Sequence, residues 1–236
     1  MELYSRRLPS LKKGSYLFTK QIMNNKLTVI LLSVFIQFSA LSFAQNAENV
    51  KTDNHSRFFT EADTSNWVYV IKNKSLVPTS VFNMGNGVLQ VSGISSGYLR
   101  TKKEYTDYVL KLEWRWIKKA GNSGVLVHIQ PVDSIWPVCY QIQQKADAAG
   151  DIICMNGLSA KECTDSVKFT VIKQLPSNEK VPGEWNTMKV ISKKNSLKVY
   201  INGKLQNHIT GLNVKEGFIG FQNEGVPLEF QNLSIH

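Results

Sequence analysis

Val109-Leu110-Lys111-Leu112-Glu113-Trp114-Arg115-Trp116 is the stretch on which the fold turns. In an extended chain Leu110, Leu112, Trp114 and Trp116 fall on one side, and Lys111, Glu113 and Arg115 on the other. That period of two marks a half-buried β-strand, because successive side chains point to opposite faces. The period recurs outward from here. Val125, Val127 and Ile129 alternate with Leu126 and His128, and Tyr140-Gln141-Ile142-Gln143 alternates after the turn-like Trp136-Pro137. Residues 187–191 and 197–201 are two more strands joined by a polar turn, and Asn202-Gly203 then predicts a two-residue hairpin, since both residues tolerate positive φ. Residues 217–221 and 227–235 close the chain. In the last of these Leu228 and Phe230 are in phase while Leu233 and Ile235 are not, which predicts a bulge near Gln231-Asn232. No segment has the apolar spacing of an amphipathic helix longer than about two turns. Many short, turn-bounded strands predict an all-β chain folded as one two-sheet β-sandwich of the jelly-roll type.

The 236 residues are 42% hydrophobic, 10% aromatic and 19% charged, a globular composition that excludes collagen, coiled coil and polytopic membrane protein. The net charge of +10 divides evenly. Residues 1–44 hold Arg6, Arg7, Lys12, Lys13, Lys20 and Lys26 against Glu2, and the remainder holds 22 basic and 17 acidic residues. The remainder has no run of five like charges, so a nucleic-acid partner lacks electrostatic support.

From Met23 the chain reads Met-Asn-Asn-Lys, then an apolar run over 27–43, then Ser42-Phe43-Ala44 before Gln45. A basic segment, an apolar core and a small-x-small site are the order of a secretory signal peptide. The alternative is a membrane anchor, but 17 residues containing Gln37 and three serines sit at the lower limit for crossing a bilayer. The expectation is a start near Met23, cleavage after Ala44, export to the periplasm or beyond, no stable membrane insertion afterwards, a polar lead-in over 45–56, and a domain over 57–236. Export permits a disulfide, and of Cys139, Cys154 and Cys163 the second and third bracket a short loop and form the candidate pair. For Cys139 a small buried hydrophobe in the core is the other reading. No Cys/His spacing fits zinc, so no cofactor is expected and no ligand motif supports a divalent cation.

Four blocks in order carry a family resemblance. The first is Tyr98-Leu99-Arg100-Thr101-Lys102-Lys103-Glu104-Tyr105 with Asp107-Tyr108, Leu112-Glu113-Trp114-Arg115 and Gly121-Asn122-Ser123-Gly124-Val125. Trp136-Pro137-Val138-Cys139 with Gln143 and Gly150-Asp151 is the second, and Glu184-Trp185-Asn186 with Val199-Tyr200-Ile201-Asn202-Gly203 the third. The fourth is Gly217-Phe218-Ile219-Gly220-Phe221-Gln222 with Pro227-Leu228-Glu229-Phe230 and Asn232. Over roughly 57–236 the chain resembles the 3-keto-disaccharide hydrolase family, which implies a concanavalin-like jelly roll acting on oxidised sugars. A ketone at C3 makes the C2 proton acidic, so the glycosidic bond can be broken by elimination and hydration. That chemistry needs a base at C2, a donor or cation at the ketone and an acid for the leaving oxygen, not the paired carboxylates of ordinary glycosidases.

Candidate residues follow from type and position. Glu113 and Arg115 are either a site ion pair or a solvated surface pair. Asn122 is a turn former or a sugar contact. His128 stands where the family commonly has Arg, and its ordinary pKa suits a base. Gln141 stands where the family often has Glu; an amide takes no proton at neutral pH, so Lys145, Asp147 or Asp151 would have to substitute. Gln143 would orient the substrate, and Trp136, Tyr98 and Tyr140 would stack on sugar rings or fill the core. Gln222 and Glu224 reach the same face or begin a hairpin. The expectation is one pocket where the polar side of residues 109–116 meets His128 and Gln141. There His128 would be the base and Arg115 or Lys145 the cation. Two functions fit: an exported hydrolase or lyase of glycan catabolism acting on 3-keto-glycosides, or a non-catalytic carbohydrate-binding module. Carbohydrate is the partner in both.

Overall fold

The structure is a computed structural model that describes residues 58–236. The expected leader, cleavage site and lead-in lie outside the described residues. Two seven-stranded antiparallel sheets pack face to face. The first joins β1 (Trp67–Ile71), β4 (Gly97–Thr101), β13 (Phe218–Asn223), β6 (Gly124–Ile129), β7 (Tyr140–Gln143), β8 (Ile152–Cys154) and β9 (Thr170–Val171) in that spatial order. The second joins β12 (Lys204–Thr210), β11 (Ser196–Ile201), β10 (Asn186–Lys193), β5 (Tyr108–Trp116), β14 (Leu228–Ile235), β3 (Val88–Val91) and β2 (Phe82–Gly85). One α-helical turn, Pro78–Val81, and the 3-10 segment Glu61–Asn66 are the helical elements described. Neither is long and apolar enough to cross a membrane.

The alternation read from the sequence builds the layer between the sheets. Leu110, Leu112, Trp114 and Trp116 of β5 are buried there with Met188 and Val190 of β10 and Leu228 and Phe230 of β14. From the first sheet come Leu99, Val125, Val127, Tyr140, Ile142, Ile219 and Phe221. Full burial of side chains this large contributes about 1.5–3 kcal/mol each relative to exposure, which is why the register of both sheets is fixed. The hairpin between β11 and β12 turns through Asn202 (φ 46°) and Gly203 (φ 79°), the paired positive φ of a type I′ turn. The bulge in β14 is present as well: pairing with β5 slips between Gln231 and Ser234, and Asn232 has φ 52°.

A second bulge, unannounced by the sequence, decides the fate of His128. Against β13, Gly220 faces Leu126 but Phe218 faces Ile129, so β6 carries an extra residue. His128 takes φ 54° and Ile129 turns to the outer side, where it packs with Leu126, Tyr98 and Phe218. The imidazole swings inward between the rings of Tyr108 and Tyr140, at 5.9 Å from each. Bulges characteristically re-aim a side chain in this way.

Candidate functional site

The outer face of the first sheet collects polar side chains beside an apolar cluster of Val70, Tyr98, Leu126, Ile129 and Phe218. The register dictates the arrangement. Tyr98 of β4 faces Gln222 of β13, Gly124 of β6 faces Gln143 of β7, and Leu126 faces Gln141. Just past the strand ends Asn122 forms an isolated bridge with Glu224. Alternation sends Asn122, Gly124, Gln141, Gln143, Gln222 and Glu224 to the same side, with directly opposite Cβ atoms about 4.5–5.5 Å apart. Five residues singled out from the sequence therefore meet on one face.

Their hydrogen bonds run in one direction. Gln141 Nε2 donates to Gln222 Oε1 at 3.1 Å, and Gln222 Nε2 donates to Glu224 Oε2 at 3.0 Å. Gln143 Oε1 lies 3.4 Å from Gln141 Nε2 and accepts the backbone N–H groups of Gln144 and Lys145 at 3.0 Å each. Gln141 and Gln222 are only 4% and 3% exposed, so the amides have little rotational freedom and the chain of donors ends on the Glu224 carboxylate. Asn122 Oδ1 is buried without a hydrogen-bond partner among the described residues. Such an orphan acceptor calls for an explanation.

Gly124 makes room for this network. A Cβ at that position would lie 2.7 Å from Gln141 Cγ and 2.8 Å from its Nε2. Gly124→Ala is therefore expected to push the Gln141 amide off Gln222. Ligand affinity should fall about fivefold if one net hydrogen bond, worth about 1 kcal/mol, is lost. Titration calorimetry on the variant checks it.

Beside the network, Arg100 is fully committed. Its Nε and Nη2 donate to the Asp133 carboxylate at 2.7 and 2.9 Å, Nη1 donates to the Thr101 carbonyl, and the guanidinium lies 4.1 Å from the Phe218 ring centre. The Arg100 hydrogen bonds hold the Asp133 carboxyl below the usual range, and burial keeps the Tyr98 phenol protonated, so it donates to Asp133 at 3.3 Å. This clamp ties the loop over 130–139 to the sheet. The sequence reading missed Asp133 and the clamp; Tyr98 and Arg100 at i and i+2 already shared a face, but their partner lies 33 residues on.

The other expected residues lie elsewhere. His128 is not on this face: Nδ1 meets the Val214 carbonyl at 3.2 Å and Nε2 meets Ser192 Oγ at 3.1 Å. A carbonyl only accepts, so Nδ1 carries the proton and Nε2 accepts from the hydroxyl. Burial pulls its pKa down to about 4, leaving an imidazole with no open nitrogen. Glu113 and Arg115 project from the outer face of the second sheet, across the sandwich from Gln141. There Arg115 Nη2 pairs with Glu229 at 2.7 Å and the guanidinium lies 4.5 Å from the Trp185 ring centre, while Glu113 accepts from Gln231 and Asn232. The single pocket expected from the sequence does not form, because alternation does not say which sheet a strand joins.

Asp151 caps the backbone N–H of Lys173 at 2.8 Å. Tyr140 points inward and donates to the Ser159 carbonyl and Asn213. Trp136 is exposed on the 130–139 loop, and Lys145 is exposed two residues past the end of β7. The cysteines are free thiols, so the candidate disulfide is not formed; the Cys154 thiol is raised by burial and then by a hydrogen bond with Cys163, which places the two as neighbours. Among the described residues no three His, Cys, Asp or Glu side chains converge as metal ligands.

The model of the family described as 3-keto-alpha-glucoside-1,2-lyase-like domain matches residues 55–236. Two crystal structures from Parabacteroides distasonis, each named "putative glycosyl hydrolase", share the fold. One has a TM-score of 0.55 at 20% identity over 72% of this chain and 88% of its own. The other has 0.53 at 23% over 72% and 98%. A carbohydrate binding module from Bacillus subtilis has a TM-score of 0.51 at 11% identity over 72% and 95%. No curated protein matches the chain. At these identities the likenesses establish the jelly roll and nothing finer.

Proposed function

The chain belongs to the 3-keto-alpha-glucoside-1,2-lyase-like family, and on that premise we propose that it cleaves 3-keto-glycosides by elimination at the glutamine-lined outer face of the first sheet. Its family and jelly-roll fold make it a carbohydrate-active protein; the keto-sugar chemistry is the further step. The observation that carries the reading is the directed relay from Gln141 through Gln222 to Glu224, the carboxylate that joins the network.

In this reading Glu224 removes the C2 proton of the keto sugar. The electron pair forms the C1–C2 double bond, the C1–O bond breaks, and the leaving oxygen takes a proton from water or a nearby donor. Gln222 fixes one carboxylate oxygen and leaves Oε1 to the substrate. Gln141 and Gln143 orient the sugar, Asn122 Oδ1 accepts a hydroxyl, and the Lys145 ammonium offsets charge on the developing enolate oxygen. His128, held inside the core, takes no part. Export, from the leader pattern at 23–44, is proposed alongside.

A non-catalytic binding module is the second reading, favoured by the three amides that stand in this network and can move no proton. Incubation with 3-keto-glucosides and their unoxidised parents, with product analysis, separates the two. Consumption of the keto sugars alone, with release of the aglycone, is the expected result. Binding of the unoxidised glycans without turnover of any keto sugar would replace the enzyme with the module.

A further inference from the structure

The outer face of the second sheet carries a row of cations that the site above does not use. In β10 and β11, Lys189 lies opposite Tyr200, Lys198 opposite Ile191, and Lys193 opposite Ser196. Each successive row therefore presents one ammonium, with rows about 6.5 Å apart, two residues along a strand. The flanking strands add Lys111, directly opposite Lys189, and His208, directly opposite Lys198. Like charges directly opposite on a sheet are destabilising, so the Lys111–Lys189 pair is a repulsion that the fold does not need. None of Lys111, Lys189, Lys193, Lys194 and Lys198 has a side-chain ion pair among the described residues. The acids on and beside this face are spent: Glu229 on Arg115, Glu113 on the amides of Gln231 and Asn232, and Glu162 on the backbone N–H and hydroxyl of Thr210.

Two depressions of about 550 and 480 Å³ follow the cations and share Tyr200 as a wall. Lys111, Lys189, Glu113, Thr187, Asn232 and Ser234 line the first, where the Glu113 carboxylate is taken up by the Gln231 and Asn232 amides, and Lys193, Lys198, His208 and Thr210 line the second. Hydroxyls and amides thus stand between ammonium groups, the mixture that a sugar bearing both hydroxyls and carboxylates would match. The Tyr200 ring lies 4.2 Å under the Lys189 ammonium, which holds that cation in place rather than leaving it to sweep solvent. Among the described residues, none of the exposed large apolar or aromatic side chains belongs to β5, β10, β11, β12 or β14, so this face offers little to a lipid layer or to stacked bases.

We propose that this face docks an acidic polysaccharide, a uronate chain lying along β10 and β11 with its carboxylates on Lys189, Lys198 and Lys193. The site is separate from the glutamine-lined face and does not depend on the function assigned to it. A chain held here would keep the protein on a charged glycan matrix while the opposite face works.

The test is affinity electrophoresis of the full chain in gels containing polygalacturonate, its fully methyl-esterified form, or a neutral glucan, at low and physiological ionic strength. The companion is the triple variant Lys189→Gln, Lys193→Gln, Lys198→Gln, whose fold is checked by its Tm. Retardation by polygalacturonate alone is expected, weakening as salt screens the contacts and falling about tenfold in the triple variant, the combined size of three exposed charge contacts. Turnover or binding at the other face should be unchanged in that variant. Equal retardation by the esterified polymer, unchanged binding in the triple variant, or tighter binding to duplex DNA or to anionic phosphatidylglycerol vesicles would each overturn the proposal.

Discussion

Replacing Glu224 by Gln is expected to lower turnover of a 3-keto-glycoside by about 10²–10⁴-fold, the usual loss when a working general base is removed. The substitution is nearly isosteric and falls at a half-buried strand end, so the fold should be untouched. Gln222 can still donate to the new amide oxygen, which keeps the Gln141–Gln222 hydrogen bond in place. Substrate affinity should therefore change only a few-fold, and the effect should sit in kcat. A variant with full turnover would remove Glu224 from the chemistry. A variant that binds nothing would show that the carboxylate serves binding rather than proton transfer.

The second large effect concerns acid. His128 takes its proton near pH 6.5 when unfolded but only near 4 in the folded protein, because burial penalises the imidazolium. Between these values the unfolded chain binds more protons, so stability falls as the pH drops from 6.5 towards 4, then levels off for this group. The gap corresponds to on the order of 3 kcal/mol, a large share of a typical domain's stability. Urea unfolding across that range should show the loss, and His128→Gln, which cannot titrate, should flatten it. Should that variant fail to fold, the imidazole proton shifts of the intact protein give the answer directly. Titration of His128 near 6.5 would contradict its placement between Tyr108 and Tyr140.

Those two predictions also mark where the sequence was and was not legible. Strict alternation over 109–116 was enough to give β5 one buried and one outward face, since four large apolar residues on one side have only one way to leave water. Asn202-Gly203 announced its turn because few residue pairs accept two positive φ angles. The phase break between Phe230 and Leu233 announced the β14 bulge. No equivalent mark preceded the β6 bulge: His128 sits at positive φ with no glycine beside it in the sequence, and alternation alone put it on the wrong side of the sheet.

The candidate site was half legible for the same reason. Asn122, Gln141, Gln143, Gln222 and Glu224 could be picked out as polar residues on or beside strands. Their common face depends on β6, β7 and β13 being neighbours, which is a long-range fact. Glu113 and Arg115 obey the same local rule but belong to the other sheet, so no period-two argument separates them from Gln141. The Arg100–Asp133 clamp is non-local in the same sense, joining a strand to a loop 33 residues away.

The central claim is that sugar binds on the glutamine-lined face, and side-chain amide NMR tests it most directly. Gln141, Gln143 and Gln222 each contribute an NH₂ pair, and in the Glu224→Gln variant a keto-glycoside can be held without being consumed. Titrating it in should shift the amide signals of those three glutamines and of Asn122, leaving Gln231 and Asn232 on the opposite sheet unmoved. Shifts confined to Gln231 and Asn232, with the four residues of the first sheet unaffected, would contradict the account.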